Sequence, residues 1–141
     1  MSPARSDRWL RAVAYGLLAE ISTIVTIILV TVLYRYVFSR GLPDADYATF
    51  NDRVGAVIGI VGGTLYTFLF AQRLMPRLSG RFIAHGIVVA LAAIALSVSG
   101  SIAGHHDVPR AYIVASLLKL GAGALAAAAY ARGLGRNRKV V

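Results

Sequence analysis

The sequence predicts an all-α integral membrane protein: an up-down bundle of four transmembrane helices at about residues 12–33, 54–71, 82–103 and 111–131, with both termini cytoplasmic. Three observations lead there. The 141 residues are 57% hydrophobic and only 15% charged, with mean hydropathy +0.68, outside the range of ordinary soluble domains. A bilayer core of about 30 Å takes roughly 20 apolar residues of helix, and four segments meet or approach that length. Formal charges inside them are limited to Glu20 and Lys119, accompanied by one histidine, His85.

The first segment follows Arg5, Arg8 and Arg11, as a signal peptide would, but its apolar run exceeds a signal core and no small-x-small site follows promptly. It reads as a retained first span. In the connection at residues 34–53, Gly41-Leu42-Pro43-Asp44 suits a turn and residues 46–50 suit a short interfacial helix. The second span carries Gly55, Gly59 and Gly63 at intervals of four, which bares one helix face for close packing, within the bundle or between protomers. A short basic connection around Pro76 and Gly80 leads to the third span, whose far end offers Ser97, Gly100, Ser101 and Gly104. Residues 104–110 make a tight third connection. The fourth span offers Gly121, Gly123 and four alanines at 126–129. Short connections make sequential helices antiparallel, hence an up-down bundle forming one domain over residues 1–141. Trp9, Tyr34, Tyr36, Phe82, Tyr112 and Tyr130 fall at span ends, where amphipathic rings anchor to headgroups. No internal repeat relates the two halves, which weighs against an inverted-repeat transporter.

Basic residues set the orientation. Arg5, Arg8, Arg11, Arg73, Arg77, Arg81, Arg132, Arg136, Arg138 and Lys139 fall on one side, against Arg35, Arg40, Arg53 and Arg110 on the other. Ten against four is a positive-inside bias that puts both termini in the cytoplasm of a cell with an inner (plasma) membrane. The net charge of +9 is therefore a topology signal and not a nucleic-acid surface. The basic tail at residues 132–139 also suits anionic headgroups.

The two buried charges carry the functional question. At about 1.5 Å per residue, Glu20 lies about 12 Å beyond residue 12, and Lys119 about 12 Å beyond residue 111 on a helix running the other way. They share a depth near mid-membrane. Each costs about 2.5–3.5 kcal/mol at a helix centre, so pairing is expected. Gly16, Glu20, Thr23, Ile27 and Thr31 share one helix face, while Tyr112, Ser116, Lys119, Gly123 and Ala126 share another. Both mix small and polar residues, whereas Ile21, Val25, Ile28 and Val32 form an aliphatic, lipid-facing side. The expectation is an ion pair between the first and fourth spans, with Thr23, Ser116 or Tyr112 taking up its remaining hydrogen-bonding capacity. Two alternatives stand beside this static pair: a gate in which Lys119 releases Glu20 as a proton or cation site, and no direct contact at all.

Leu17-Leu18-Ala19-Glu20 in the first of four helices resembles the small multidrug resistance transporters. The likeness covers about ten residues. It implies a first-helix glutamate that binds a proton or a cationic drug in an antiparallel dimer, and it carries over Glu20 alone as that site. Where the family usually has a Gly-Thr pair and a lysine after the glutamate, this chain has Ser22-Thr23 and no lysine before Lys119.

Other signals are weaker. His85 begins the third span near the cytoplasmic interface, where an imidazole needs no special role; the alternative is a proton relay towards Glu20. His105-His106-Asp107 reads as a solvated turn and not a metal site, since three adjacent residues rarely face one ion. The Gly59, Gly62, Gly63 run lacks the Lys-Ser/Thr of a phosphate loop. No nucleophile arrangement, cysteine or paired haem ligand argues for catalysis or a cofactor. The sequence therefore predicts a small non-enzymatic membrane protein, an accessory or interaction subunit partnered by the bilayer and by copies of itself or a larger complex. The rival is a small proton-coupled exporter using Glu20.

Overall fold

A computed structural model describes residues 6–103 and 110–137. Among these the chain is helical apart from the turns at residues 39–43 and 78–81: α1 (Ser6–Leu33), α2 (Asp44–Val57), α3 (Gly63–Leu74), α4 (Phe82–Ala103) and α5 (Arg110–Asn137). A π turn, Tyr34–Phe38, extends α1, and a second, Ile58–Gly62, joins α2 to α3 as one long helix. Four helical segments are long and apolar enough to cross a membrane: Asp7–Phe38, Asp44–Arg77, Phe82–Ile102 and Tyr112–Gly133.

The helices outrun the apolar segments. The second begins ten residues before the run at 54, so residues 46–50 are the first turns of that helix and not a separate interfacial piece. Backbone helicity continues past the point where side chains turn polar, because Pro43 presets the entry and Asp44 and Asp46 sit favourably in the first turn. Tyr47 locks this corner. Its buried hydroxyl donates to the Ser39 carbonyl at 2.5 Å and accepts from the Leu42 amide at 3.1 Å. Gly41 takes φ +82°, the left-handed region that glycine enters without a Cβ clash. Tyr34 stacks on Phe50 with centroids 3.5 Å apart, and Arg35 pairs with Asp44 at 3.2 Å.

Around the bundle, α1 packs on α4 and on the α2–α3 segment, and α5 packs on the same two neighbours. Thus α1 and α5 stand on opposite corners. The short connection between α3 and α4 crosses a diagonal instead of joining nearest neighbours. At one end of the bundle lie the start of α1, the end of α3, the start of α4 and the end of α5, tied by Arg8 to Ser79, Arg77 to Tyr15, and Phe82 edge-on to Tyr130 at 5.3 Å. Sequential segments are therefore antiparallel, and this end carries Arg8, Arg11, Arg73, Arg77, Arg81 and Arg132.

The core is built from small residues, with Ala12, Ala19, Ala71, Ala90, Ala93, Ala122, Ala126 and Ala127 all buried. Helix backbones approach closely both between α4 and α5 and between α1 and α4. A Cβ on Gly86 would lie 2.3 Å from the Gly123 carbonyl oxygen, and a Cβ on Gly123 equally close to that of Gly86. Between α1 and α4, a Cβ on Gly16 would meet the Val89 carbonyl oxygen at 2.2 Å. Of the stripe expected on the second span, Gly63 meets a neighbour inside the bundle, while a Cβ on Gly55 or Gly59 would meet nothing within 4 Å, so these two take no part in packing within the chain. A spacing of four places residues on one face but does not say which face the partner helix takes, and the π turn between Gly59 and Gly63 shifts that register.

Gly86→Val and Gly123→Val should each destabilise the protein by about 1–3 kcal/mol, since backbone stands where the side chain would go. Gly55→Ala and Gly59→Ala should be neutral or stabilising by up to about 1 kcal/mol. Thermal unfolding in detergent checks both; equal losses at all four positions would contradict this packing.

Candidate functional site

Glu20 and Lys119 meet inside the bundle, with Nζ 2.5 Å from Oε2. Both residues are buried, at 5% and 3% exposure. Because α1 and α5 occupy opposite corners, the pair crosses the bundle's centre. The lysine spans that distance because it carries its charge on a four-carbon stem.

Gly63 makes the crossing feasible. A Cβ there would lie 2.7 Å from Lys119 Cε and 3.7 Å from Thr23 Oγ1, so the stem runs over bare α3 backbone beside Thr23. The sequence placed Gly63 in a packing stripe; its contact is with the lysine side chain and not with another helix backbone. Spacing alone carries no signal for that role.

The surrounding hydroxyls turn inward on their own helices. Thr23 donates to the Ala19 carbonyl at 3.0 Å and Thr67 to the Gly63 carbonyl at 2.7 Å, both buried. Each satisfies its donor in an apolar setting by bonding four residues back. Ser116 and Tyr112 are half-buried on the Lys119 face of α5, and neither donates a hydrogen bond to the pair. Of the polar residues expected to support the ion pair, Thr23 lies beside the Lys119 stem but bonds its own helix, and no hydrogen bond joins Ser116 or Tyr112 to the pair. On α1, Thr26 donates to the Ser22 carbonyl at 2.8 Å, so the Tyr66 hydroxyl, 2.9 Å away, is the donor that bridges α1 to α3. The sequence did not single out that link, because an isolated tyrosine within an apolar span has no periodic signature.

His85 lies far from this centre. It stacks on Trp9, with centroids 4.3 Å apart and rings 16° from parallel. Trp9 precedes Glu20 by eleven residues, about 16 Å of helix rise, so no direct relay joins them. His105-His106-Asp107 falls outside the described residues. Among those described, no three His, Cys, Asp or Glu side chains gather as metal ligands.

Chemically, the centre holds a carboxylate and an ammonium side chain in direct contact, both buried inside the bundle. Removing one partner leaves an uncompensated buried charge, which costs about 3–5 kcal/mol, whereas an apolar pair of similar volume is often neutral. Glu20→Gln and Lys119→Met should each lower stability, and the double variant should recover most of the loss in a thermal double-mutant cycle. Simple additivity would dissolve the pairing. Gly63→Ala should reproduce part of the single-variant loss in the wild-type background and much less of it with Lys119→Met, because its clash is with the lysine stem.

No protein-family model, curated protein or solved structure matches the chain, so the meaning of this pair has to be argued from its geometry.

Proposed function

We propose that the chain is a small, non-enzymatic, multi-pass protein of an inner (plasma) membrane, with both termini cytoplasmic, acting as an accessory or interaction subunit within a homo-oligomer or a larger membrane assembly. The observation that carries this reading is the sealed ion pair. A carrier must expose its charged site to a ligand, whereas here the ligand of Glu20 is Lys119 of the same chain, closed over by Gly63 and Thr23. Neither the pocket beside Trp9 and His85 nor the groove beside Leu65 and Leu125 includes Glu20 or Lys119.

An outer surface supports the interaction role. An apolar groove of about 520 Å³ runs between the second and fourth segments, lined by Ile60, Leu65, Phe68, Leu117, Gly121 and Leu125 among others. Gly121 leaves open space beside its helix in this groove, as Gly55 and Gly59 do elsewhere on the second segment, and such small residues let another helix approach closely. Clustering of arginines at the end shared by the chain's start and the close of α5 supports cytoplasmic termini under the positive-inside rule.

The chain has no cysteine, which makes topology straightforward to test. An impermeant maleimide applied to intact spheroplasts should label Asp46→Cys, and should label Ser79→Cys only after permeabilisation; the reverse pattern would overturn the orientation. For the role itself, proteoliposomes should show no proton flux above empty vesicles, and Leu65→Trp or Leu125→Trp in the groove should release co-purifying subunits while leaving the monomer's melting temperature unchanged. A proton flux that Glu20→Gln abolishes would replace this reading with a proton-coupled exporter.

A further inference from the structure

A pocket of about 210 Å³ opens at the arginine-rich end, lined by Arg8, Trp9, Ser79, Gly80, Arg81 and His85. Several independent features converge on it. Arg81 immediately precedes α4 and adopts φ +52°, the left-handed region that a non-glycine residue rarely enters. Its carbonyl accepts from the His85 amide at 3.2 Å and from the same residue's ring at Nδ1, 2.9 Å away. Nδ1 must therefore carry the hydrogen, and Nε2 of the neutral ring presents a lone pair. His85 is only 4% exposed, yet Nε2 has no partner. A buried acceptor left unpaired in this way costs free energy until a donor reaches it.

Positive charge gathers around the same opening. Arg8 donates to Ser79 Oγ in the turn that leads into α4. No Ser, Thr, Asp or Asn stands immediately before Phe82, so the first amides of α4 lack a side-chain cap and face this end of the bundle. Among the described residues the ion pairs are Arg11–Asp7, Arg35–Asp44 and Lys119–Glu20, and neither Arg8 nor Arg81 has a carboxylate partner. Two guanidinium groups without a carboxylate partner, a helix start and a buried unpaired acceptor fit one chemical class.

We infer that this pocket binds a phosphate ester carrying a hydroxyl, with the phosphate held between Arg8 and Arg81 at the start of α4 and the hydroxyl donating to His85 Nε2. Guanidinium groups match phosphate oxygens bidentately. The Trp9 ring, stacked on the imidazole, fixes the orientation of that acceptor. In a bilayer the ligand is the phosphoglycerol headgroup of an anionic lipid; free glycerol phosphate presents the same groups. The inference rests on the membrane setting proposed above but not on the accessory role.

The test uses the full chain in neutral detergent, with melting temperature and lipid-bound mass as readouts. Short-chain phosphatidylglycerol should raise the melting temperature and remain bound, and phosphatidylcholine, which has no donor, should do neither. Arg81→Gln should weaken phosphatidylglycerol binding about tenfold, the loss of one charged hydrogen-bonding group. Arg73→Gln, the same charge change at the same end but outside the pocket, should leave binding unchanged. His85→Phe keeps the stack and should erase the preference for phosphoglycerol over phosphocholine. Glycerol phosphate alone matching the lipid would identify a soluble ligand for the same site. Equal losses for Arg73→Gln and Arg81→Gln would mean general surface attraction, and no response to either phosphoglycerol compound would overturn the site. Because binding is read in detergent, failure here is distinct from failure of the membrane orientation, which maleimide labelling reads separately.

Discussion

A charge placed in the middle of an apolar helix must find its opposite, and the bundle is organised around that requirement. Glu20 on α1 meets Lys119 on α5 across the diagonal of four helices. Had these helices been adjacent, a lysine stem would have been longer than the gap. At opposite corners it has the reach, and its methylenes fill the centre of the bundle where a larger apolar side chain would otherwise sit.

That reach works only if the bundle is narrow. Alanines fill the core, and the paired glycines Gly86 and Gly123 bring α4 and α5 together at backbone distance, as Gly16 does for α1 and α4. In a lipid setting helix association draws little from the hydrophobic effect, so close packing and satisfied polar groups decide the arrangement. Buried hydroxyls are satisfied locally by back-bonding within their own helices, leaving, among the described residues, the ion pair and the Thr26–Tyr66 bond as the polar links between helices in the interior. Both tie α1, directly or across the centre, to helices that the chain reaches much later.

The two ends of the bundle are built differently. At the end with Asp44, aromatic stacking and the Tyr47 hydroxyl close a compact corner in which the chain turns between α1 and α2. At the other end arginines outnumber acids, a left-handed Arg81 opens the turn into α4, and His85 is buried with one nitrogen unpartnered. The first end is closed upon itself. The second carries guanidinium groups without a carboxylate partner and a buried ring nitrogen without a hydrogen bond among the described residues.

Much of this was legible from residue order alone. Apolar runs marked four spans because a helix long enough to cross hydrocarbon must be apolar along its length, and Glu20 and Lys119 stood out at matching depth because depth follows from counting residues along two helices. Helix faces were legible too: Ile21, Val25, Ile28 and Val32 are exposed, and Glu20 and Lys119 are buried. Tertiary structure decided which helices are neighbours. Nothing in the order of residues put α1 opposite α5, turned Gly55 and Gly59 outward, or brought Gly63 under the Lys119 stem, because a periodic pattern specifies a face and not the partner that covers it. The pocket at Arg81 likewise joins the start of α1 to the α3–α4 turn, residues some seventy positions apart. Local chemistry determined what each helix is; packing between distant segments decided what its polar residues touch.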